Sequence, residues 1–416
     1  MKPITIAIAG CGSRGQDTYA ACQKRFPDRM QIVAAADIRP EKLEQMKASY
    51  GLTDAQCYDS AESMLQAGKL ADVMIIATPD RMHYSEAMEA LKLDYHLLLE
   101  KPIAPTAEEC IAIEKLALER NREVVVCHVL RYTVFYQKLK ALINSGVVGD
   151  VVNIQAIERV GYWHQAHSFV RGNWRNAGLS TPMILQKCCH DMDILLWLSG
   201  KRCERVSSFG SLAHFTAANA PQGAAERCVD CQAENCPYNA VNFYLGKIRE
   251  NKLDWPVNVL TTDLTAEGVM KALQEGPYGR CVYHCDNDVV DHQVVNLELE
   301  GGATVSFTMC AFTKECARRI RIMGTMGEIV GDMERNTIEV LPFVGESERI
   351  DVNTLTEDFS GHGGGDARMV DDLLHLVSGE NEGGEMLTSI SRSVESHLVA
   401  LAAEYSRLNH GAVVEL

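Results

Sequence analysis

The sequence contains no apolar run near the ~18 residues that a membrane-spanning helix requires. Basic residues are also scarce relative to acidic ones: 40 Lys and Arg stand against 56 Asp and Glu, giving a formal net charge of −16. An acidic surface does not favour binding to a nucleic acid or an anionic membrane, so neither is expected as a partner. A small anionic substrate is still allowed, because a local pocket can be basic on an acidic protein.

Secretion and linker signals are lacking as well. The N-terminus, MKPITIAIAGCGSRG, enters a predicted strand almost at once and has no signal-peptide cleavage region. The 15 cysteines are therefore expected to be reduced thiols in a cytoplasm, mostly packed as small apolar residues. No repeat, charge block or low-complexity linker is found in the 416 residues, a length that suits two domains.

The first 125 or so residues show apolar strands that alternate with helices. The strands are predicted at 4–10, 31–37, 71–79, 96–102 and 123–129, and the helices from about residue 16, at 41–51, at 83–93 and at 106–120. This alternation predicts a parallel sheet covered by helices on both faces, which is an α/β architecture.

Gly10, Gly12 and Gly15 form G-x-G-x-x-G between the first strand and the first helix, and Asp37 ends the second strand. In this context the pattern predicts a dinucleotide site, with the pyrophosphate at the helix N-terminus. The Asp37 carboxylate would accept hydrogen bonds from the adenosine ribose and repel a 2′-phosphate, which favours NAD over NADP. Arg39 would weaken that preference. The alternative is a glycine-rich turn that binds nothing.

Glu100, Lys101 and Pro102 end a later strand at the edge where open α/β sheets bind their ligands. A lysine beside a nicotinamide can hydrogen-bond a substrate hydroxyl and stabilise the developing oxyanion. The alternative for Lys101 is a solvated surface residue.

These motifs occur together with ATPDRMH at 77–83, a histidine-bearing helix near residue 190 and IRIMGTMGEI at 320–329. Together they resemble the glucose–fructose oxidoreductase, inositol dehydrogenase and MocA (Gfo/Idh/MocA) family over nearly the whole chain. The resemblance implies a Rossmann doubly wound parallel sheet in an NAD-binding domain, 1–127. It also implies an α+β domain with a large, mainly antiparallel sheet, 128–416, often used for oligomer contacts, hence a homodimer or homotetramer. The residues expected to bind the cofactor are Gly10, Gly12, Ser13, Arg14, Gly15, Asp37, Arg39, Thr78, Pro79, His83, Glu100 and Lys101.

The stretch PMILQKCCHDMDILLWL, 182–198, supplies the expected catalytic helix. The resemblance implies that His190 is the general base and that Lys101 assists it. Many relatives carry an acid four positions before this histidine, where this chain has Gln186. Lys187 is a further catalytic candidate, since residues three or four apart share a helix face. Its alternative is an ion pair with Asp191 or Glu158 in a structural network.

Substrate contacts are expected from two further segments. One follows the last Rossmann strand, and the other, 158–176, is rich in aromatic, histidine and arginine side chains that suit sugars. The second segment is interpreted as a substrate loop, with a surface or interface loop as the alternative. GHGGGD, 361–366, is interpreted as a loop near the cleft, or else as a phosphate cradle. The predicted substrate-binding residues are His128, Arg131, Tyr132, Tyr162, Trp163, His164, Trp174, Arg175 and Gln186.

An insertion at about 211–290 contains Cys228, Cys231 and Cys236 at metal-ligand spacing. A fourth ligand would be Cys281, with His284 or Cys285 as alternatives, and the metal would be a structural zinc. Unliganded thiols, or a redox or iron–sulfur role, are the other interpretations.

The function expected from these features is NAD-dependent oxidation of a secondary alcohol of a sugar, sugar derivative or cyclitol. The second hypothesis is a redox-neutral, NAD-dependent glycosidase or lyase that works through a transient keto-sugar. The third is a non-catalytic NAD-binding protein.

Overall fold

The computed structural model describes residues 2–379 and 388–416, which contain two large sheets. The strands of the first are β1 (Ile4–Ala9), β2 (Met30–Ala36), β3 (Cys57–Tyr58), β4 (Val73–Ile76), β5 (His96–Leu99) and β6 (Val124–Val126). All pair in parallel, in the order β3-β2-β1-β4-β5-β6. The predicted Rossmann sheet is confirmed. β3, with only two residues, is too short for its pattern to be predicted.

Helices cover both faces of this sheet. They are α1 (Pro40–Tyr50), α2 (Ala61–Gln66), α3 (His83–Lys92) and α4 (Ala107–Arg120), preceded by a helical stretch over 13–24. The stretch begins as a π-helix and ends as a 3₁₀-helix. The ends follow local chemistry: the Thr106 hydroxyl caps α4 by accepting the Glu109 N–H, and Gly51 ends α1 at φ 67°.

The second sheet has nine strands. They are β7 (Val151–Arg159), β8 (Cys203–Ser211), β9 (His292–Leu299), β10 (Ala303–Cys310), β11 (Ala317–Gly324), β12 (Gly327–Asp332), β13 (Thr337–Pro342), β14 (Glu348–Asp351) and β15 (Val414–Glu415). Their order is β14-β13-β12-β11-β7-β10-β9-β8-β15, and only the β7–β10 pairing is parallel. The sequence over 286–309 predicts two antiparallel strands joined by a Gly-Gly turn, and the final AVVEL predicts an edge strand. The β9–β10 hairpin and the pairing of β15 with β8 confirm both predictions.

Alternating burial along these strands shows that one face of the sheet is covered. The remaining helices are α5 (Val134–Asn144), α6 (Tyr162–His164), α7 (Met183–Gln186), α8 (Cys189–Ser199), α9 (Ala240–Arg249), α10 (Ala266–Glu275), α11 (Ser360–Ser378) and α12 (Ile390–Leu408). Side chains of α5, α8 and α12 share one buried cluster with the sheet. No described helix is long and apolar enough to cross a membrane.

The predicted insertion is the excursion between the adjacent strands β8 and β9. It contains α9 and α10 and has a small core of its own, formed by Cys228, Ala240, Tyr244, Val257, Val269 and Leu273.

The C-terminal helices tie the two sheets together. Met369 and Leu373 of α11 belong to a buried cluster of the first sheet. The Val126 N–H donates to the Thr388 carbonyl, which extends the edge of that sheet by one short pairing. α12 packs on α4 as well as on β8 and α8. The amphipathic sequence over 385–411 predicts a C-terminal helix that packs back on the body. α12 does so, and the first three residues of the predicted helix lie outside the described ranges.

Candidate active site

The glycine-rich turn after β1 has the backbone geometry of a phosphate cradle. Gly10 has φ +87°, and a Cβ there would lie 2.5 Å from the Ala77 carbonyl oxygen. A Cβ on Gly15 would lie 1.9 Å from the Gly10 oxygen, so the turn packs directly against the helix. Above Gly12 the nearest atom, 3.9 Å away, belongs to the mobile end of Arg39. The turn therefore leaves open space in front of a helix start.

Asp37 and Arg39 form the edge of this cradle. The Asp37 carboxylate accepts the Cys11 N–H at 2.8 Å, the Arg39 N–H at 2.9 Å and the Arg39 Nε at 3.0 Å. Burial opposes its charge, but the hydrogen bonds from Arg39 and Cys11 outweigh burial and lower the pKa of Asp37. Asp37 is thus an ionised acceptor, and the half-exposed Arg39 is the group that would share it with a bound ribose. The open cradle and this carboxylate fit NAD.

The ends of β4 and β5 meet across a histidine. The ring nitrogens of His83 lie 2.7 Å from the Pro102 oxygen and 3.0 Å from the Thr78 oxygen, so the imidazole bridges the two strand ends. The Thr78 hydroxyl donates to Glu86, and burial raises the pKa of Glu86 to about 7. His83 is therefore placed to hold the Lys101–Pro102 turn in position. Pro79 directly follows Thr78, the other residue that His83 contacts.

Arg14 and Glu100, both predicted cofactor ligands, pair with each other. The Arg14 guanidinium lies 2.5 Å from Glu100 and 2.7 Å from Asp366 at the start of α11. The Tyr19 hydroxyl also donates to Glu100. Burial acts against the charge of Glu100, but Arg14 and Lys101 together lower its pKa. Asp366 and Tyr19 were not predicted, and GHGGGD places its aspartate on Arg14 instead of forming an open phosphate cradle.

The side chain of Lys101 contacts the end of α7. Its Nζ donates to the backbone carbonyl of Gln186 at 2.8 Å and lies 5.9 Å from the ring centre of Trp174. Within the described ranges it makes no ion pair, whereas the neighbouring Lys187 does. A charge that lacks a carboxylate partner is available to a substrate oxygen.

The stretch 182–198 is broken, not helical throughout. α7 ends at Gln186, α8 begins at Cys189, and the break frees the Gln186 carbonyl that Lys101 uses. The Gln186 side chain is buried.

Lys187 takes part in a buried cluster of four charges. Its Nζ lies 3.3 Å from Glu158, and Arg318 lies 3.0 Å from Glu158 and 2.8 Å from Asp191. Burial disfavours its charge, but Glu158 raises the pKa of Lys187. The ion pair between Lys187 and Glu158, which was the alternative to a catalytic role of Lys187, is therefore present.

His190 stands in a group of three buried imidazoles. The His128 ring centre lies 5.6 Å from that of His190 and 5.3 Å from that of His397. Burial first, and the charge of Lys101 second, lower the pKa of His190 well below its ordinary value. His190 is therefore neutral near pH 7, and its buried Nδ1 has no hydrogen-bond partner among the described residues.

Three predicted substrate residues lie deeper than expected. His128 has no exposed surface. Arg131 forms a bidentate ion pair with Asp193, with hydrogen bonds of 2.7 and 2.6 Å. The Tyr132 hydroxyl donates to Asp372. Their burial argues against direct contact with a substrate. Nothing in the local pattern after β6 indicates that these polar groups face inward.

The segment 158–176 is largely helical instead of a loop. It forms α6 and then a π-helical turn, Gln165–Arg171, that packs on the insertion. His164 is buried beside Trp163, while Trp174 remains 37% exposed near Lys101. Tyr162 lies beside Tyr238 of the insertion, and Arg175 pairs with Asp286 at 2.7 Å.

The predicted zinc site is not supported. No three His, Cys, Asp or Glu side chains of the described chain are grouped so that they could hold a metal. The Cys228 thiol contacts the guanidinium of Arg171, and the Cys231 thiol contacts the Gly223 carbonyl. The structure therefore supports no metal site at the four predicted zinc ligands, which are free thiols: Cys228, Cys231, Cys236 and Cys281.

The glycine-rich cradle lies where the strand order of the parallel sheet reverses, between β1 and β4, which is the position at which open α/β sheets bind dinucleotides. The chain belongs to the Gfo/Idh/MocA family. Residues 4–128 match the model described as an oxidoreductase family, NAD-binding Rossmann fold, and residues 140–416 match the C-terminal alpha/beta domain of that family.

Individual relatives are distant. YteT of Bacillus subtilis (strain 168) is 23% identical over 382 residues, covering 88% of this chain and 81% of that protein. An inositol 2-dehydrogenase of Burkholderia ambifaria (strain MC40-6) is 27% identical over 200 residues, covering 48% of this chain and 55% of that protein. In fold, an inositol dehydrogenase homologue of Azotobacter vinelandii, solved with NADH and myo-inositol, gives a TM-score of 0.69 at 16% identity, covering 100% of this chain and 98% of that one.

Proposed function

We propose that this protein is an NAD-dependent dehydrogenase that acts on a secondary alcohol of a sugar, sugar derivative or cyclitol. The observation that carries the proposal is the position of Lys101, which lacks a carboxylate partner in the described chain, beside the neutral His190. NAD, when bound, supplies a hydride acceptor at the nicotinamide. The names of relatives support the substrate class: besides the inositol 2-dehydrogenase, a D-glucoside 3-dehydrogenase of Escherichia coli (strain K12) is 28% identical over 162 residues, covering 38% of this chain and 45% of that protein.

The roles of the two residues follow from their charge states. The Lys101 ammonium donates to the reacting hydroxyl oxygen and stabilises the negative charge that grows there. His190, held neutral by burial and by Lys101, accepts the hydroxyl proton. The Gln186 carbonyl holds the Lys101 side chain toward this helix, and Asp37 with the glycine turn would hold the cofactor. NADP is less favoured because Asp37 is ionised.

The experiment is NADH formation from NAD⁺ with purified protein and a panel of myo-inositol, methyl α-D-glucoside, methyl β-D-glucoside and free hexoses. The proposal predicts NADH in proportion to oxidised product for at least one member. Lys101→Met and His190→Gln should abolish most of this turnover, while Lys115→Met, a change at an exposed helix position, should leave it intact. Absence of NADH with every member of the panel contradicts the proposal.

A second candidate is a redox-neutral glycosidase or lyase that uses NAD only transiently. The observation that favours it is Gln186, a buried amide at the position where the resemblance expects an acid. The aromatic side chains near Lys101 also suit a glycoside. Cleavage of an aryl glycoside that needs NAD⁺ but yields no net NADH would support this candidate. The homodimer or homotetramer and the cytoplasmic location expected from the sequence remain predictions.

A further inference from the structure

A row of aromatic rings leads away from Lys101. The Lys101 Nζ lies 5.9 Å from the ring centre of Trp174, Trp174 lies 5.9 Å from Phe169, and Phe169 lies 5.7 Å from His164. At its far end the row reaches Trp255 of the insertion, 5.0 Å from His164 and 5.4 Å from Trp163. We call these five rings the aromatic wall: Trp163, His164, Phe169, Trp174 and Trp255.

The three tryptophans of the wall lie outside the hydrophobic core, whereas Phe169 belongs to the buried cluster of the second sheet and His164 is buried. Trp163, Trp174 and Trp255 are absent from the buried clusters of the described chain, and the insertion is stabilised by a separate cluster around Tyr244 and Leu273. Trp174 is 37% exposed and Trp255 is 40% exposed. Large aromatic side chains that stay partly in water beside a reactive site are typical of ligand-binding surfaces.

The polar atoms of the wall are also available. None of the three indole N–H groups donates to a described residue, although a buried indole N–H usually has an acceptor. Lys247 of α9 lies 5.8 Å from the ring centre of Trp163 and makes no ion pair within the described ranges. Ring faces bordered by unused N–H donors match a sugar, whose C–H face stacks while its hydroxyls accept hydrogen bonds.

One end of the wall lies beside Lys101, through Trp174. Burial is the main cause that lowers the pKa of His164, and the next contributions come from the charges of Lys187, His167 and Lys101. In the row of rings, the buried imidazole of His164 lies between Phe169, at 5.7 Å, and Trp255, at 5.0 Å.

We propose that the wall is a second sugar-binding subsite, so that the substrate is a glycoside with two rings. The reacting ring lies at Lys101 and His190, and the second hexose lies on the exposed ring of Trp255. This inference rests on the proposed function for the reacting ring, whereas the subsite itself is a property of binding. It assigns to the insertion between β8 and β9 the task of selecting glycosides over free cyclitols.

The test compares binding of one-ring and two-ring probes to the NAD⁺-loaded protein by calorimetry. The probes are methyl α- and β-D-glucoside, maltose and cellobiose. One stacked ring contributes ~0.5–1.5 kcal/mol, so the preferred disaccharide should bind roughly 2- to 13-fold more tightly than its methyl glucoside. Trp255→Ala should remove that advantage and leave methyl glucoside binding unchanged.

The matched control is Phe343→Ala, which truncates an exposed ring just after β13, and Trp255→Phe should retain most of the effect. The subsite is overturned if disaccharides bind no more tightly than methyl glucosides, if no probe binds, or if Trp255→Ala weakens both kinds of probe equally. NADH formation separates this result from the proposed function. If the probes bind in the predicted pattern but no NADH forms, the subsite is retained and the dehydrogenase is rejected. If NADH forms but disaccharides bind no more tightly than methyl glucosides, the dehydrogenase is retained and the subsite is rejected.

Discussion

The ammonium group of Lys101 donates to the backbone carbonyl of Gln186 at 2.8 Å, four residues before His190. The contact joins the end of a Rossmann strand to the break between two helices of the second domain. It places the Lys101 ammonium, which has no carboxylate partner among the described residues, beside the neutral imidazole of His190.

Lys101→Met should lower kcat by about 100- to 1000-fold, the cost of removing one donor to a developing oxyanion. The dissociation constant for NAD⁺ should change little, because Asp37 and the glycine turn lie elsewhere. Steady-state kinetics with a reactive sugar and fluorescence titration with NAD⁺ measure the two quantities. A variant with normal kcat would remove Lys101 from the reaction.

Asp37→Ser should shift the coenzyme preference toward NADP. The substitution removes a charged acceptor whose hydrogen bonds contribute about 1.5–3 kcal/mol, so the affinity for NAD⁺ should fall roughly 10- to 150-fold. It also frees the Arg39 guanidinium, now 3.0 Å from Asp37, for a 2′-phosphate. The ratio of kcat/KM for the two coenzymes reports the shift. Asp28→Ser, a change outside this edge, is the control, and an unchanged ratio in Asp37→Ser would show that Asp37 does not contact the ribose.

Glu158→Gln should destabilise the protein by about 3–5 kcal/mol, since it leaves Lys187 and Arg318 buried with one carboxylate fewer. Urea unfolding measures the loss. Glu328→Gln breaks a comparable pair with Arg321 at the surface and should cost no more than about 1 kcal/mol. Equal losses in the two variants would contradict the assigned burial.

Substitutions in the same buried cluster distinguish a structural role of Lys187 from a catalytic one. If Lys187 is only the partner of Glu158, Lys187→Gln should lower stability, and the double variant with Glu158→Gln should be less destabilised than the sum of the single changes. The activity per folded molecule should then be close to normal. A fall of kcat by 100-fold or more in folded Lys187→Gln would instead assign it a catalytic role.

Acid should destabilise the protein from about pH 6.5 downward. Burial lowers the pKa of His96 to about 4 and that of His397 to about 3, and it also lowers the pKa of His190. In the unfolded chain each imidazole is protonated as the pH falls below about 6.5, whereas in the folded protein it stays neutral until the pH nears its lowered pKa. Proton binding therefore favours the unfolded state in this range, and the stability present above pH 6.5 is lost as the pH falls toward the folded pKa. His96→Asn should flatten the dependence of Tm on pH, whereas His410→Asn, at an exposed turn, should not. An identical slope in all three proteins would contradict these pKa shifts.

The sequence predicts most of the first domain because its signals are local. Apolar strands, the glycine spacing and the cap at Thr106 each involve neighbouring residues, and the structure agrees with the strands and helices they predict. The β9–β10 hairpin is likewise predicted from its Gly-Gly turn and alternating pattern.

The partners within the site could not be predicted, because they lie far apart in the chain. Arg14 and Asp366 are 352 positions apart, and no spacing rule links them. The inward orientation of Arg131 depends on Asp193 in a different element. The zinc expectation failed for a related reason: Cys228 and Cys231 have ligand spacing, but the motif does not fix where the other ligands lie.

The most direct test of the account is a single-turnover experiment in which the NAD⁺-loaded protein is mixed rapidly with a substrate identified from the sugar panel. Both the dehydrogenase and the redox-neutral candidate require hydride transfer, so NADH absorbance should rise in the wild type and should rise more slowly when the carbinol hydrogen is deuterium. Lys101→Met and His190→Gln should each slow this phase about 100-fold or more, in accord with their roles as oxyanion donor and base. A rise of undiminished rate in both variants, or no NADH with any sugar, would contradict the claim that Lys101 and His190 act on one hydroxyl group.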